Sequence, residues 1–508
     1  MRTQYQKWII ALAIIMAVLF AFVVWGQEDS QEKGEIEPES EGHLPGFAIH
    51  PLKKEFGKTN YSPSRIARAE KVLSDKAFEN SKLGIMVISL SDEKEVFSYS
   101  PNDLLVPAST NKLFTACAAL AILKPEYQFK TKVFVDRRPE NGVVNGNFYV
   151  KGSGDPAITL EQLWKLAHEI RVLGVTHIKG DLVGDVSFFD DAITYSEWRH
   201  SGNNPFIARI SAFAVNFNTV RVVALPASLP GKRAILMVEP ESVKFNVDGD
   251  VNTTAPGTPN TWTVGFKGDT LLVRGSIPAG AKPFEEYYSV NDPASFSLGA
   301  LFAYLKHEGI EIDGSIRIGA VPTKAYLLTT HESPYLAVIL RDMMRFSNNF
   351  QAEMIFKTIG AEQLGEPGTR AKAASVIANF IEKNGINTPG CVIFDGSGLA
   401  RENLQSARSM ANLLAFSQLQ PPFDVEFEGA MPIAGVDGTL KRRFSETGLM
   451  RRVRAKTGYL NGAVALAGYC YDQEGKKYAF AFLVNNPKAS IHGIHKLTEK
   501  FLNALMNG

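Results

Sequence analysis

Residues 104–123 read LLVPASTNKLFTACAALAIL. Pro107 interrupts any preceding element, and Ser109 has a side chain that suits the N-cap of a helix. Apolar residues then recur at helical spacing from Leu113 to Leu120. The pattern predicts an apolar helix that opens at Ser109, so that the serine lies at the positive end of the helix dipole.

Segments with strand-like alternation lie on both sides of this stretch. GIMVISLSDEKEVFSYSP (84–101) alternates around a charged turn and predicts a hairpin of two strands. A final helix is predicted from about Ile491 to Leu505, and three strands precede it, in RVRAKTG (452–458), AVALAGYCYD (463–472) and KYAFAFLVNN (477–486). These elements predict an α/β (α+β) fold with a five-stranded antiparallel sheet backed by the first and last helices.

The pattern changes between residues 128 and 333. Short alternating strands and frequent glycines fill this region, with two predicted helices at LEQLWKLAHEI (160–170) and SLGALFAYLKHEG (297–309). Helical periodicity returns just after it. We therefore expect one domain formed by residues 63–127 and 334–508, interrupted by an inserted β-rich domain or pair of domains at residues 128–333.

The N-terminal region predicts export. A basic segment, MRTQYQK, precedes an uncharged run from Trp8 to Val24, and acidic residues follow. About 18 apolar residues suffice to cross a bilayer, and this charge asymmetry places the rest of the chain outside the cytoplasm. Residues 1–26 are therefore interpreted as either a signal peptide or an uncleaved membrane anchor. No cysteine follows the run, which excludes a lipoprotein, and residues 27–62 are predicted to form an acidic linker.

Composition argues against several classes of function. The 54 Lys and Arg residues nearly balance the 53 Asp and Glu residues, so no basic field favours nucleic acid as a partner. The sequence has no H-E-x-x-H motif, zinc-ligand spacing, P-loop or dinucleotide fingerprint, and we expect neither a metal nor a cofactor. Cys117, Cys391 and Cys470 are too few for a disulfide scaffold and are predicted to be small buried side chains, with a Cys117–Cys470 bridge as the alternative.

Three short motifs occur in order along the chain: S-x-x-K at residues 109–112, S-x-N at residues 347–349 and K-T-G at residues 456–458. Each alone is weak, because a second S-x-x-K occurs at residues 91–94. That second copy lies in the charged hairpin turn, whereas Ser109 opens an apolar helix. The three motifs in this order point to covalent catalysis by a serine.

The residue types fit this chemistry. Residues i and i+3 share a helix face, so the amine of Lys112 reaches the hydroxyl of Ser109. A buried lysine near other cations loses its proton readily and serves as a general base, which is worth about 10² to 10⁴ in rate. Lys456 and Thr457 supply a cation and a hydroxyl for a carboxylate, and Gly458 lets the backbone approach the ligand closely.

With these motifs the chain resembles the class C low-molecular-mass penicillin-binding proteins, the D-alanyl-D-alanine carboxypeptidases and endopeptidases of peptidase family S13. The resemblance extends over most of residues 80–490 and rests on segments such as VPASTNKLFTACAAL, KGSGDPAIT, SNNFQAEM, FDGSGLARENL and AKTGYLNGAVALAGY. It implies a transpeptidase-like and β-lactamase-like domain with a large β-rich insertion between its first and second motifs. It also implies peptidoglycan stem peptides as substrates, β-lactam antibiotics as acylating ligands, and action in the cell envelope.

The resemblance implies a role for each motif residue. Ser109 would be the nucleophile and Lys112 its base, and Ser347 and Asn349 would shuttle a proton and contact the substrate amide. The remaining predicted site residues bind substrate, with the N–H of Tyr459 as second oxyanion donor: Lys456, Thr457, Gly458, Tyr459, Arg401 and Asn461.

Two departures from the family pattern concern specificity. Arg345 and Phe346 precede S-x-N, where relatives often carry lysine or asparagine. The segment that in relatives supplies a tryptophan-rich turn with an acid for the free amine of the stem peptide reads SEWRHSGNNPF (196–206), and no acid is assigned from it. The balance between carboxypeptidase and endopeptidase activity therefore stays open at this point.

Two other functions fit the same motifs. A serine β-lactamase would share the nucleophile and base, but a 200-residue insertion is foreign to that class. A catalytically inactive peptidoglycan-binding module would retain the motifs and bind without turnover.

Overall fold

The computed structural model describes residues 49–52, 56–58, 61–199, 202–207, 209–268, 270–386, 388–421 and 423–507. The predicted signal or anchor, residues 1–26, and residues 27–48 of the predicted linker lie outside the described residues. Within the described ranges, no helix combines the length and the hydropathy that a membrane crossing requires.

Strands and helices are grouped along the chain, with six strands following one another in residues 219–289 and five helices following one another in residues 336–430. The strands are β1 (Gly57–Lys58), β2 (Lys82–Ser89), β3 (Lys94–Tyr99), β4 (Lys130–Val135), β5 (Val143–Val144), β6 (Phe148–Lys151), β7 (His177–Ile178), β8 (Leu182–Asp185), β9 (Thr219–Leu225), β10 (Ile235–Glu239), β11 (Asn246–Thr254), β12 (Thr263–Lys267), β13 (Thr270–Pro278), β14 (Phe284–Ser289), β15 (Glu311–Ile312), β16 (Ile316–Ile318), β17 (Tyr326–Glu332), β18 (Val453–Leu460), β19 (Ala463–Tyr471) and β20 (Lys477–Asn485). The helices are α1 (Pro63–Leu73), α2 (Lys112–Ile122), α3 (Leu160–Val172), α4 (Pro293–His307), α5 (Leu336–Phe346), α6 (Asn349–Leu364), α7 (Arg370–Lys383), α8 (Ala407–Ser417), α9 (Phe423–Ala430) and α10 (Ile491–Met506).

The main sheet joins the two ends of the chain. Its strand order is β1-β3-β2-β20-β19-β18, and all neighbours are antiparallel except β1 and β3. On one face, apolar side chains of these strands pack against α1 and α10 in one hydrophobic core. The predicted fold class and hairpin are confirmed. The sheet has six strands rather than five, because Gly57 and Lys58, which composition assigned to the linker, add a short parallel edge strand.

On the other face of the sheet α8 contacts β2, β19 and β20, and α2 is the central helix of the group that lies there. Every residue from Lys112 to Ala121 is buried, and α5, α6, α8 and α9 all contact it. A helix that is apolar on all sides belongs in a protein interior rather than at a surface. Because Ser109 lies in the turn that precedes α2, it lies at the junction between the sheet and the helices.

The strands between residues 128 and 333 form four sheets of their own. A five-stranded sheet, β16-β8-β6-β4-β17, and a small parallel sheet, β15-β7-β5, enclose a core with α3 and α4. Two three-stranded sheets, β10-β9-β14 and β11-β13-β12, enclose a second core. Both helices predicted in this region are present, and none of its named strands pairs with the main sheet.

Two local predictions differ from the structure. Ser109 does not cap α2, because it lies within a turn of 3₁₀-helix, Ala108–Asn111, and its hydroxyl accepts a hydrogen bond from Lys112 instead. The alternative Cys117–Cys470 bridge is absent: both thiols are free and buried, and Cys391 is free and partly buried.

Candidate active site

The turn that carries Ser109 is held in an unusual backbone conformation. Ala108 has a positive φ of 48°, which a residue with a side chain rarely adopts. Strand β18 passes beside this turn, and a Cβ on Gly458 would lie 2.7 Å from the carbonyl oxygen of Pro107. Only glycine fits that approach, so K-T-G lies directly against the serine turn. The close approach of Gly458 to a ligand stays a prediction.

The amine of Lys112 is the centre of the site. It donates to Ser109 Oγ at 3.0 Å, to Asn349 Oδ1 at 2.7 Å and to the carbonyl oxygen of Ser397 at 2.7 Å. The side chain is fully buried, and burial lowers its pKa to about 7, although the negative charge of Asp395, and that of Glu353 when Glu353 is ionised, opposes the shift. A large fraction of this lysine is therefore neutral near pH 7, as a general base requires.

The second motif reaches the first from the junction of α5 and α6. Ser347 ends α5 in the left-handed conformation, with φ of 58°. Asn348 then caps α6 by accepting from the N–H of Gln351, which directs Asn349 toward the lysine. The amide nitrogen of Asn349 donates to the carbonyl oxygen of Phe206 at 2.7 Å. The segment before β9 therefore extends to the same site.

Lys456 connects the third motif to the second. Its amine donates to Ser347 Oγ at 2.8 Å and to the backbone carbonyl oxygen of Thr457, also at 2.8 Å. Burial lowers the pKa of Lys456 well below its ordinary value, and the charge of Lys112 adds to the shift. The hydroxyl of Thr457 donates to Thr439 at 2.9 Å. Each of the two buried amines thus donates to a motif serine, Lys112 to Ser109 and Lys456 to Ser347.

A cavity of about 280 Å³ continues from the end of β18. Arg401 donates to the backbone carbonyl of Asn461 at its edge, so these two predicted residues lie together. Arg199 forms an ion pair with Glu402 at 3.2 Å. Glu197, an acid that sequence reasoning left unassigned, lies in the wall of this cavity. The full lining is Glu197, Trp198, Arg199, Leu399, Arg401, Leu460 and Asn461.

The structure brings all three motifs together, and the second S-x-x-K, at residues 91–94 (the decoy motif), lies apart from them. Ser91 and Lys94 lie at the hairpin turn between β2 and β3, away from these contacts. Arg345, one of the departures noted from sequence, pairs with Asp437 at 2.9 Å. The oxyanion role of the Tyr459 N–H remains a prediction. Within the described ranges, no group of three His, Cys, Asp or Glu residues is arranged to hold a metal ion.

Sequence reasoning missed three residues behind Lys112. Glu353, Asp395 and Ser397 are buried there. Glu353 follows Asn349 by four positions, a spacing that places both on one face of a helix and was available as a signal. The other two lie in the glycine-rich turn FDGSG, in which the sequence shows no periodicity that would bring them to the lysine.

Comparison with known proteins agrees with this geometry. The chain is 33% identical over 432 residues to a D-alanyl-D-alanine carboxypeptidase of Actinomadura sp. (strain R39), a match that covers 82% of this chain and 79% of the relative. The crystal structure of penicillin binding protein 4 (dacB) from Haemophilus influenzae superposes with a TM-score of 0.73 at 26% identity, over 86% of this chain and 98% of that one.

A second structure of the same Haemophilus influenzae protein was determined in complex with a β-lactam. It matches with a TM-score of 0.70 at 25% identity, over 87% of this chain and 100% of that one. The model of the D-Ala-D-Ala carboxypeptidase 3 (S13) family matches residues 66–502. Motif order, site geometry and these matches agree, and the chain belongs to the D-Ala-D-Ala carboxypeptidase 3 (S13) family of serine peptidases.

Proposed function

We propose that this peptidase hydrolyses the D-alanyl-D-alanine ends of peptidoglycan stem peptides through an acyl-enzyme on Ser109. The observation that carries the proposal is the 3.0 Å hydrogen bond between Lys112 Nζ and Ser109 Oγ, made by a lysine whose pKa is lowered to about 7. The pair supplies a nucleophile and a base at hydrogen-bond distance, as covalent catalysis by serine requires.

In the acylation step, the Ser109 hydroxyl oxygen attacks the carbonyl carbon of the penultimate D-alanine, and its proton passes to the neutral amine of Lys112. The tetrahedral intermediate collapses as the bond to the terminal D-alanine nitrogen breaks. That nitrogen receives a proton from the Ser347 hydroxyl, which is replenished through the buried lysines. Water then attacks the ester, releases the shortened peptide and returns a proton to Ser109.

The two buried lysines divide the work between them. A substrate carboxylate beside Lys456 stabilises the ammonium form of that residue. The positive charge on Lys456 in turn disfavours protonation of Lys112, because two cations close together in a buried site repel each other. Substrate binding would therefore leave Lys112 neutral when it is needed as the base. Thr457 adds a hydroxyl donor for the same carboxylate.

The same donors suit a carboxypeptidase and an endopeptidase, because in both substrates the D-centre after the scissile bond has a free carboxylate. Arg401 and Asn461 border the cavity where the rest of the stem peptide would extend, and Glu197 on its wall offers a partner for a free amine. Glu197 is only partly buried. We expect it to discriminate stem peptides with a free amine from acylated ones by less than the roughly 10⁴-fold that a buried partner gives.

The division of the chain is part of the proposal. Residues 63–127 and 334–508 would form the catalytic domain and residues 128–333 the insertion, as the separate sheets of that region support. The insertion contributes the Phe206 carbonyl and the wall at Glu197. We also propose that residues 1–26 direct the chain to the cell envelope, where its substrate lies, as a signal peptide or an anchor.

Digestion of purified muropeptides tests this function. Wild-type protein is expected to trim pentapeptide monomers and to cleave cross-linked dimers, as chromatography of the products would show. Ser109→Ala should do neither, whereas Ser91→Ala, which alters the decoy motif, should act as wild type. If wild-type protein trims neither substrate while penicillin still acylates it, the hydrolase proposal fails and a binding role takes its place.

A further inference from the structure

Glu353 lies behind the catalytic lysine and is fully buried. One of its carboxyl oxygens accepts a hydrogen bond from the backbone N–H of Ser397 at 2.7 Å. The backbone carbonyl of Ser397 in turn accepts from Lys112 Nζ at 2.7 Å. A single residue therefore connects Glu353 to the amine that is hydrogen-bonded to Ser109.

The loop that contains Ser397 is confined on two sides. A Cβ on Gly396 would lie 2.5 Å from Phe356 Cβ and 2.7 Å from the carbonyl oxygen of Ala352, both on α6. Gly398 has φ of 82° and lies against the carbonyl of Ala108, next to the nucleophile. A shift of Ser397 would therefore be transmitted to the serine turn as well as to Lys112.

Asp395 fixes the shape of this loop. Its carboxylate accepts from the N–H groups of Gly398 and Ala400 at 2.6 and 2.8 Å. It also accepts from Asn403 Nδ2 at 2.9 Å and from the indole of Trp198 at 2.9 Å. Four donors around one carboxylate favour its ionised form, which opposes the rise in pKa that burial causes.

Glu353 has the opposite environment. Burial and the nearby charge of Asp395 raise its pKa to about 8, and its second carboxyl oxygen has no hydrogen-bond partner in the described part of the chain. Glu353 is therefore protonated at neutral pH and offers an acceptor without adding a second negative charge beside the lysine. The charged and titratable groups that face it are Lys112, Asp395, Lys357 and Tyr195.

We propose that Glu353 is a positioning residue for Lys112, which acts by fixing the Ser397 carbonyl as an acceptor for the lysine amine. The inference rests on the proposed role of Lys112 as the base. If Glu353 were ionised, it would stabilise the ammonium form of Lys112 and so weaken the base. The neutral acid keeps the acceptor in place and leaves the lysine free to lose its proton.

The test is the rate of acylation by a fluorescent penicillin, measured from pH 5.5 to 9.5 on full-length protein. Glu353→Gln keeps an acceptor for the Ser397 N–H and should acylate within about threefold of wild type at neutral pH, with the midpoint of its pH profile at or below that of wild type. Glu353→Ala removes the acceptor and should lower the rate by about 10²-fold, as misplacement of a catalytic group by about 1 Å does. Thr358→Ala, a buried change five residues further along α6, is the matched control and should acylate as wild type.

A Glu353→Ala protein that acylates at the wild-type rate would overturn the inference. So would a folded Glu353→Gln protein that acylates about 10²-fold more slowly than wild type, or one whose midpoint moves to higher pH; both outcomes are measured against wild type and remain decisive even if Glu353→Ala does not fold. Ser109→Ala separates the two proposals. If it is still labelled, the proposed nucleophile is wrong, whereas an unlabelled Ser109→Ala beside an unaffected Glu353→Ala refutes only the positioning role.

Discussion

Alanine substitution of Gly398 tests whether the loop behind Lys112 must contact the serine turn. Gly398 has φ of 82°, and an added Cβ would overlap the Ala108 carbonyl group, because it would lie only 2.6 Å from the carbonyl carbon. Gly475 has φ of 81°, and an added Cβ there meets nothing within 4 Å. Gly475→Ala is therefore a control with the same backbone conformation and no steric conflict.

Both variants incur the cost of a left-handed residue, about 1 to 2 kcal/mol. Gly398→Ala must also displace the peptide that precedes Ser109, and overpacking of this kind typically costs a further 1 to 3 kcal/mol or so. Because that peptide carries the nucleophile, we expect penicillin acylation to fall by about 10²-fold in Gly398→Ala. Gly475→Ala should acylate at the wild-type rate.

Urea unfolding gives the loss of stability in each variant, and stopped-flow labelling with a fluorescent penicillin gives the acylation rate. Equal losses of stability in the two variants, with unchanged acylation in both, would show that the close approach of Gly398 to Ala108 has no effect. The contact between loop and serine turn would then be incidental, and the account of how Ser397 is held would be refuted.

Two further predictions concern the lysines. Acylation should increase as pH rises through about 7, because the pKa of Lys112 is lowered to about 7 and only its neutral form accepts the Ser109 proton; a rate that falls over this range would contradict the assignment of the base. Lys112→Ala should abolish acylation, while Lys94→Ala, in the decoy motif, leaves it intact, and equal loss in both variants would show that the motif is misplaced.

Much of the catalytic fold follows from periodicity. Alternation predicts β2, β3 and the last three strands, and the apolar run after Lys112 predicts α2, because buried elements must present apolar side chains at the period of their backbone. The sixth strand was not predictable in this way. Gly57 and Lys58 are two exposed residues, and their pairing with β3 depends on backbone hydrogen bonds rather than on side-chain pattern.

The residues of the active site also fall into a group that the sequence identifies and a group that it does not. The three motifs identify Ser109, Lys112 and Lys456 because the chemistry requires particular residue types at particular spacings. The contacts of Asp395 and Ser397 depend on a turn whose shape is set by glycines and by backbone N–H groups. Such contacts leave no periodic pattern in the sequence, and they become visible only in three dimensions.

The measurement that most directly tests the account is mass spectrometry of the protein after brief exposure to penicillin, followed by digestion. We predict a penicilloyl adduct on the peptide that contains Ser109, absent from Ser109→Ala and released slowly. An adduct on the peptide that contains Ser91 would contradict the assignment of the nucleophile. Rapid release of the adduct with continued consumption of the antibiotic would instead identify the chain as a β-lactamase and contradict the peptidase account.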